Sequence, residues 1–197
     1  MQKITGIVLA GGKSKRMGRK KALLKLNNKL FVQYSIECLQ NFCDEIIISA
    51  NTDDFDFLNL KIVKDLYPDA GPASGILSAL KVSKNNINAI LSCDTPFVPA
   101  GIFLYLHSFM SDFDAAVPVS NGLTENMICL INKSCADIIE NEIMNDNLSF
   151  KLILQKLRVV YVDIAAHLSF YNSSMFLNVN TKKTFLLAQR YFETKVM

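Results

Sequence analysis

The feature that most constrains this chain is the segment ITGIVLAGGKSKRMGRKK, residues 4–21, in which an apolar run meets a basic glycine loop. The almost continuous apolar run from Ile4 to Leu9 predicts a strand buried on both faces, as parallel sheets require. Glycines let backbone N–H groups approach an anion closely, and consecutive N–H groups form a concave binding surface. The segment therefore predicts a buried strand that ends at an anion site.

Charge is distributed unevenly along the chain. Residues 1–36 contain nine of the 21 Lys and Arg residues and no Asp or Glu, although the net charge is only +3. A clustered cationic segment implies a local anion site, on nucleic acid or on a small molecule. No aromatic residue lies among residues 13–29, whereas single-stranded nucleic acid is bound by cations interleaved with aromatic rings. We therefore expect small-molecule phosphate as the partner and no specific nucleic acid.

Predicted strands and helices alternate over the rest of the chain. The predicted strands after the first are 45–50, 61–63, 88–92, 115–119, 127–131 and 159–164, and the predicted helices are 31–42, 76–84, 101–109, 134–144, 149–157 and 181–192. Residues 23–30 favour a small hairpin, and Ser74 is the expected N-cap of the second helix. This alternation predicts an α/β fold of three layers, with a mostly parallel twisted sheet and helices on both faces. Since no linker or repeat interrupts it, residues 1–197 are expected to form one domain.

Composition excludes several classes of protein. The five cysteines are odd in number and form no CxxC pair, and there are only two histidines, His107 and His167. A disulfide framework and a zinc site are therefore not expected, and the cysteines are interpreted as buried apolar residues. No segment approaches the ~18 continuous apolar residues of a membrane span, and the N-terminus lacks the apolar core of a signal peptide. We predict a cytoplasmic protein without membrane contact.

Polar residues follow four of the predicted strands. In an open parallel sheet, ligands bind beyond the carboxyl ends of the strands. The glycine loop, Asn51, Asp65 and Asp94 all follow predicted strands, so we expect them at one site. Arg16 offers a planar fork for phosphate oxygens, and Lys21 offers a mobile point charge. The alternative interpretation is structural, with Asp94 capping the next turn and with Asn51 and Asp65 bonding loop backbone.

The loop spacing Gly-Gly-x-x-x-Arg-Met-Gly-x-x-Lys, residues 11–21, is neither a Walker loop nor a GxGxxG fingerprint. It closely resembles the signature loop of the nucleotidyltransferases with a Rossmann-like sheet, and most of all the molybdenum cofactor guanylyltransferases (the MobA family). Further matches follow in order: Asn51, Asp65 with Gly-Pro-x-x-Gly at 71–75, Cys-Asp-Thr-Pro-Phe at 93–97 and Asn-x-Asn-Thr at 178–181. The resemblance thus spans nearly the whole chain. Two segments depart from the family pattern: 122–127 lacks the Pro-containing acceptor segment, and 182–184 lacks Pro-Glu-Asp/Glu.

The resemblance implies a reaction. GMP is transferred from GTP to the phosphate of the molybdenum-pterin cofactor, giving the guanine dinucleotide cofactor and pyrophosphate. Because the attacking phosphate is already ionised, no general base is needed, and catalysis depends on positioning and on charge neutralisation by Mg²⁺. GTP and the molybdenum-pterin cofactor are the expected substrates, and molybdenum-insertion proteins or apo-molybdoenzymes are the expected protein partners.

The resemblance also implies roles for individual residues. The catalytic group consists of Arg16, Lys21 and Asp94, and Asp94 is the expected Mg²⁺ ligand. Asn178 and Asn180 are expected on the acceptor side. The expected nucleotide contacts are Leu9, Ala10, Gly11, Gly12, Lys21, Asn51, Asp65, Gly71 and Asp94.

Three alternatives stay open at this point. A cytidylyltransferase acting on the same cofactor, or on a sugar or polyol phosphate, would keep the same phosphate chemistry. A nucleotide-binding module without catalysis would not need the metal carboxylate, so the joint presence of Arg16, Lys21 and Asp94 argues against it. Nucleic-acid binding through the basic segment predicts affinity that falls steeply with salt.

Overall fold

A computed structural model describes residues 3–11 and 21–195, apart from the side chains at positions 167, 173, 194 and 195. Within these residues the strands are β1 Ile4–Leu9, β2 Lys25–Leu26, β3 Lys29–Leu30, β4 Glu45–Ser49, β5 Lys61–Val63, β6 Ile87–Ser92, β7 Ala115–Ser120, β8 Leu123–Thr124, β9 Ile128–Asn132 and β10 Val159–Asp163. The helices are α1 Phe31–Gln40, α2 Gly71–Val82, α3 Ala100–His107, α4 Ala136–Met144, α5 Phe150–Leu154, α6 Ile164–His167 and α7 Lys182–Lys195.

The main sheet has the strand order β10-β7-β9-β6-β1-β4-β5, with β8 paired to β7 outside this path. β1 is parallel to both β4 and β6, β5 is parallel to β4, and β10 is parallel to β7. β9 runs antiparallel to both β6 and β7. The prediction of a mostly parallel sheet is therefore confirmed, with β9 and the short β8 as the exceptions.

The antiparallel strands have a local cause in the turn between β7 and β8. Asn121 and Gly122 both have positive φ, at 50° and 76°. Two consecutive residues of this kind form the tight turn that joins antiparallel strands, and Asn-Gly is its preferred sequence. Ser120 consequently pairs with Leu123 across the turn. The chain reverses here, so β9 starts at the edge of the sheet where β6 and β7 end.

Helices cover both faces of the sheet and create the three predicted layers. Side chains of β1 alternate between the two faces, with Ile4 and Val8 in one core and Ile7 and Leu9 in the other. The first core packs under α1 and α3, and the second packs under α2, α4 and α5. Because helices cover both faces of the sheet at β1, its apolar run is buried throughout.

The C-terminal helix α7 packs outside these layers against the β2–β3 hairpin and α1. Phe185 meets Phe31 edge-on with ring centroids 6.2 Å apart. Phe192 lies 5.3 Å from the ring of Phe97, which follows β6 by five residues. The aromatic contacts of α7 thus stabilise the loop that begins at the carboxyl end of β6.

The structure corrects the predicted start of the second helix. α2 begins at Gly71, not at residue 76, and Ser74 is not its N-cap. Pro72 lies in the first turn, where a missing N–H costs nothing and the fixed φ suits a helix. The Ser74 hydroxyl instead accepts a hydrogen bond from the backbone N–H of Tyr67 at 3.0 Å. It therefore ties the first turn of α2 to the loop before it.

Three further observations bear on the kind of protein that this chain can be. Among the described residues, no helix has the length and apolar character that a membrane crossing requires. All five cysteines are free thiols, and Cys93, Cys129 and Cys135 are buried. The interpretation of the cysteines as core residues is therefore confirmed for these three, whereas Cys38 and Cys43 are half-buried.

Candidate active site

The carboxyl ends of β1, β4, β5 and β6 meet at one edge of the sheet. The backbone N–H of Ala10 donates to the carbonyl of Ser49 at 3.0 Å, and that of Ala50 donates to Val63 at 3.0 Å. On the other side of β1, Cys93 N–H donates to the carbonyl of Leu9 at 3.2 Å. The polar residues that follow these strands are therefore brought together, as the sequence predicted.

Lys21 and Asp94 form the centre of this edge. The Lys21 Nζ lies 3.4 Å from Asp94 Oδ2, and their side chains are only 22% and 16% exposed. The two residues are 73 positions apart in the chain. A cation and a carboxylate thus share a half-buried space at the end of β6, where each can reach a phosphate or a phosphate-bound metal.

The Asp94 carboxylate is oriented from both sides. Its Oδ1 accepts a hydrogen bond from the Ser92 hydroxyl at 2.6 Å, whereas its Oδ2 faces Lys21. Its backbone carbonyl accepts from the N–H of Val179 at 2.8 Å. This last bond places the two predicted acceptor-side residues, Asn178 and Asn180, next to the Asp94 loop.

Asn178 and Asn180 differ in their surroundings. Asn178 is exposed, whereas Asn180 is half-buried. The Asn180 Oδ1 is buried and accepts no hydrogen bond from any residue in the described part of the chain. A buried acceptor without a donor costs roughly 1–3 kcal/mol, so this oxygen is suited to a ligand or a cation.

Asn51 and Asp65 hold each other in a reciprocal pair. The Asn51 Nδ2 donates to Asp65 Oδ2 at 2.6 Å, and the Asp65 backbone N–H donates to Asn51 Oδ1 at 2.8 Å. The pair joins the loop after β4 to the loop after β5. Both hydrogen bonds are open to solvent, so the structural role and the predicted nucleotide contact are compatible.

Two glycines in α2 shape the same region. Gly71 has a φ of +64°, a left-handed conformation that glycine adopts without cost, and no atom lies within 4 Å of the position a Cβ would take. At Gly75 the surrounding atoms, and not the backbone conformation, leave no room for a side chain. A Cβ there would lie 2.4 Å from Ser49 Oγ and 3.3 Å from Asp65 Oδ1. Gly75 thus lets α2 pack directly on the end of β4 and on the Asn51–Asp65 pair.

We expect Gly75→Ala to raise the KM for nucleotide about tenfold, because overpacking of about 1–3 kcal/mol would displace Ser49 and Asp65. Steady-state kinetics measure the KM, and thermal unfolding reports any general loss of stability. The matched control is the double variant Gly75→Ala/Ser49→Ala, which removes the closest contact and should recover most of the affinity. An unchanged KM in the single variant would show that this packing does not position Asp65.

The structure places the remaining predicted nucleotide residues as follows. Leu9 ends β1 and is buried, Ala10 is half-buried, and Gly11 is exposed at the start of the loop. Gly12 and Arg16 lie outside the described residues, so their predicted roles stay predictions. Lys21 is described and contacts Asp94, and its predicted role in nucleotide binding likewise stays a prediction.

Glu125 is a carboxylate near this edge of the sheet that the sequence analysis did not identify. It lies in the turn before β9 and is half-buried. Burial, and secondly the charge of Asp94, raises the pKa of its carboxyl group. Glu125 therefore lies within electrostatic range of Asp94. The sequence signal that could have identified Glu125 is Asn121-Gly122. This pair predicts a chain reversal, which brings the residues that follow it back to the ligand edge.

A cavity of about 460 Å³ opens beside Glu125. Its wall includes Thr124, Asn126, Lys151, Gln155 and Tyr161. The Asn126 Oδ1 is buried and has no hydrogen-bond donor within the described ranges. Within the segment 122–127, which departs from the family pattern, Gly122, Leu123, Thr124 and Asn126 therefore line a concave surface.

The described part of the site provides no activated protein nucleophile. Burial raises the pKa of the Cys93 thiol to about 12, so Cys93 stays protonated next to Asp94. His107 lies on α3 with its ring 6.3 Å from that of Phe42. In residues 3–11 and 21–195, no group of three His, Cys, Asp or Glu side chains could hold a metal.

A mostly parallel sheet with a Lys–Asp pair at its carboxyl edge agrees with the nucleotidyltransferase class. The family model described as "MobA-like NTP transferase domain" matches residues 6–159. The chain belongs to this family.

Curated relatives agree with the family assignment. A "Probable molybdenum cofactor guanylyltransferase" from Clostridium perfringens strain 13 is 37% identical over 148 residues, 75% of each chain. One of the same name from Carboxydothermus hydrogenoformans is 38% identical over 144 residues, 73% of each chain. A third, from Bacillus cereus strain B4264, is 30% identical over 200 residues and covers 96% of this chain and 98% of its own.

Solved structures confirm the fold. Molybdopterin-guanine dinucleotide biosynthesis protein A from Archaeoglobus fulgidus superposes with a TM-score of 0.83 at 22% identity, covering 96% of this chain and 99% of that one. The 2-C-methyl-D-erythritol 4-phosphate cytidylyltransferase from Thermus thermophilus superposes with a TM-score of 0.75 at 13% identity, covering 97% and 99%. At these identities the likeness concerns the fold alone.

Proposed function

We infer that this chain transfers GMP from GTP to the phosphate of the molybdenum-pterin cofactor. The products are the guanine dinucleotide cofactor and pyrophosphate. The observation that carries this inference is the 37–38% identity to relatives named molybdenum cofactor guanylyltransferases, in a chain that keeps the Lys21–Asp94 pair at the ligand edge. The transferase class itself follows from the family.

The reaction makes one bond at phosphorus and breaks one. An oxygen of the acceptor phosphate attacks the α-phosphorus of GTP, and the bond from that phosphorus to the bridging oxygen breaks as pyrophosphate leaves. Since the acceptor oxygen is already ionised, no residue has to remove a proton. Lys21 would bind the triphosphate oxygens and the leaving pyrophosphate as a point charge. Arg16 would share this task through its planar guanidinium group.

We propose Mg²⁺ as the metal, with Asp94 as its ligand. The donor chemistry fits, because Mg²⁺ prefers one or two carboxylates together with phosphate oxygens and water. The unpartnered Asn180 Oδ1 adds a further oxygen beside the Asp94 loop. When bound, the metal neutralises charge that develops around the α-phosphate. Asp94, oriented by Ser92, would fix where that metal lies.

The nucleotide and the acceptor would occupy different sides of this centre. We place the nucleotide along Leu9 to Gly12 and towards Gly71 and the Asn51–Asp65 pair. The acceptor would lie towards Asn178 and Asn180, which the Val179–Asp94 bond holds close. The KM for the acceptor in Asn178→Ala measures this assignment, since a residue outside the acceptor site would leave it unchanged.

The state of the cysteines bears on where in the cell the protein acts. Free thiols at all five cysteines fit a reducing compartment, and we propose the cytoplasm. The product would pass to molybdenum-insertion proteins or apo-molybdoenzymes. Recovery of the protein with a membrane or extracellular fraction would contradict this location.

In the presence of Mg²⁺, we expect GTP to stabilise the protein more than CTP, ATP or UTP does. A ligand at about 100 times its Kd adds about 2.7 kcal/mol, which is a Tm increase of roughly 5–10 °C for a chain of this size. Thermal unfolding with each nucleotide measures the preference, and pyrophosphate release with the acceptor confirms turnover. A larger shift with CTP would instead favour the cytidylyltransferase alternative. A shift without any pyrophosphate release would favour a binding module.

A further inference from the structure

We propose that Tyr171 is a positioning residue for the acceptor, because its hydroxyl group ties the stretch that carries Asn178 to the turn between β7 and β8. The inference rests on the proposed function, since it takes the acceptor to lie towards Asn178 and Asn180. Tyr171 and the residues that it contacts lie outside the motifs that carry the family resemblance, so the resemblance assigns them no role.

The Tyr171 hydroxyl group meets two polar side chains of the β7–β8 turn. It lies 2.8 Å from the Ser120 hydroxyl group, and it accepts a hydrogen bond from Asn121 Nδ2 at 3.2 Å. Ser120 is buried at the end of β7, and Asn121 is the first of the two residues with positive φ in the turn. A tyrosine 50 residues further along the chain therefore helps to fix where this turn lies.

The neighbouring residue Phe170 holds the same stretch against α3. The end of its ring lies so close to Gly101 that a Cβ there would be 2.9 Å from Phe170 Cζ. Gly101 is the second residue of α3, which follows the Asp94 loop. Glycine thus permits a close approach that any side chain would prevent. The two adjacent aromatic residues therefore hold the chain between the start of α3 and the β7–β8 turn.

Residues 171–179 link that turn to the Asp94 loop. At one end of the link is the Tyr171 hydroxyl group, and at the other end the Val179 N–H donates to the Asp94 carbonyl at 2.8 Å. Asn178 directly precedes Val179, so it lies on a stretch that is held at both ends. Loss of the Tyr171 hydrogen bonds would free one end and let Asn178 shift relative to Asp94.

Replacement of Tyr171 by phenylalanine tests the proposal, because it keeps the ring and removes only the hydroxyl group. With the molybdenum-pterin cofactor as acceptor, we expect Tyr171→Phe to raise the acceptor KM about three- to tenfold, the usual effect of losing one or two hydrogen bonds. A larger rise is not expected, because Met175 and Phe176 are buried and also hold the stretch. The KM for GTP and the kcat at saturating acceptor should change less than about twofold, the pattern of a lost binding contact. Rates of pyrophosphate release, with each substrate varied in turn, give these constants.

The matched control is Tyr67→Phe. Tyr67 is also half-buried, and its hydroxyl group donates to Glu140 on α4 at 2.9 Å, so this variant loses a comparable hydrogen bond elsewhere in the fold. We expect it to lower the Tm about as much as Tyr171→Phe does, but to leave the acceptor KM unchanged. An equal rise of the acceptor KM in both variants would show that a general loss of stability causes the effect, and it would overturn the proposal.

A double variant tests whether Tyr171 acts through Asn178. Coupled residues have non-additive effects, so Tyr171→Phe should raise the acceptor KM less in an Asn178→Ala background than in the native protein. Additive increases would overturn the inference, as would an increase in Asn178→Ala alone, and both would leave the proposed acceptor side intact. If the native protein released no pyrophosphate with this acceptor, the proposed function itself would fail, and this inference with it.

Discussion

Exchange of Lys21 for methionine is expected to lower kcat for pyrophosphate release by ~10²–10³, the usual cost of removing a group that stabilises transition-state charge. Methionine keeps most of the apolar length of lysine and removes only the charge. The Lys21 ammonium lies at the carboxyl edge of the sheet, 3.4 Å from Asp94 and only partly exposed. In that position it would stabilise the charge that accumulates on the leaving pyrophosphate.

The matched control is Lys25→Met. Lys25 belongs to the same cationic segment, but it is exposed on β2 within the hairpin. Its loss should change kcat less than about twofold, since an exposed charge is screened by solvent. Lys21→Arg should retain part of the activity. If Lys21→Met kept most of the native rate, Lys21 would not act on the reacting phosphates.

Asp94→Asn should lower kcat by a similar factor, ~10²–10³. Asparagine keeps the shape of the side chain and can still accept a hydrogen bond from Ser92, but it lacks the negative charge that a Mg²⁺ ligand provides. The backbone bond from Val179 to residue 94 does not depend on the side chain. The fold should therefore persist while pyrophosphate release is lost.

Pyrophosphate release with GTP and acceptor measures this effect, and unfolding temperature verifies that the variant is folded. Asp112→Asn is the control, because it neutralises an exposed carboxylate in the turn after α3. Raising the Mg²⁺ concentration should recover part of the Asp94→Asn activity if the defect is weak metal binding. Equal release by Asp94→Asn and the native protein would reject Asp94 as the metal ligand.

Much of the fold was predictable because buried parallel strands have a clear sequence pattern. Ile4 to Leu9 is apolar almost throughout and forms β1, paired with a parallel strand on each side. The predicted start of α2 at residue 76 was wrong, because Pro72 suits the first turn of a helix and the helix begins at Gly71. The direction of β9 was missed because it depends on the two positive φ angles at Asn121 and Gly122.

The site was predictable only in part, for a physical reason. Residues that follow parallel strands share one edge, so the sequence alone predicts that Asn51, Asp65 and Asp94 lie together. Glu125 precedes its strand. It reaches the same edge only because β9 runs the opposite way, which the Asn121-Gly122 turn signals but the alternation of strands and helices does not. The reciprocal bonds of Asn51 and Asp65 likewise depend on side-chain geometry that only the structure provides.

A crystal structure with GTP and Mg²⁺ bound tests the central claim most directly, because it locates the metal, the α-phosphate and Asp94 together. We predict a carboxylate oxygen of Asp94 at about 2.0–2.1 Å from a Mg²⁺ ion that also contacts the α-phosphate, with Lys21 Nζ on the triphosphate. A structure in which GTP binds while the Asp94 carboxylate contacts neither the metal nor the α-phosphate would contradict this account.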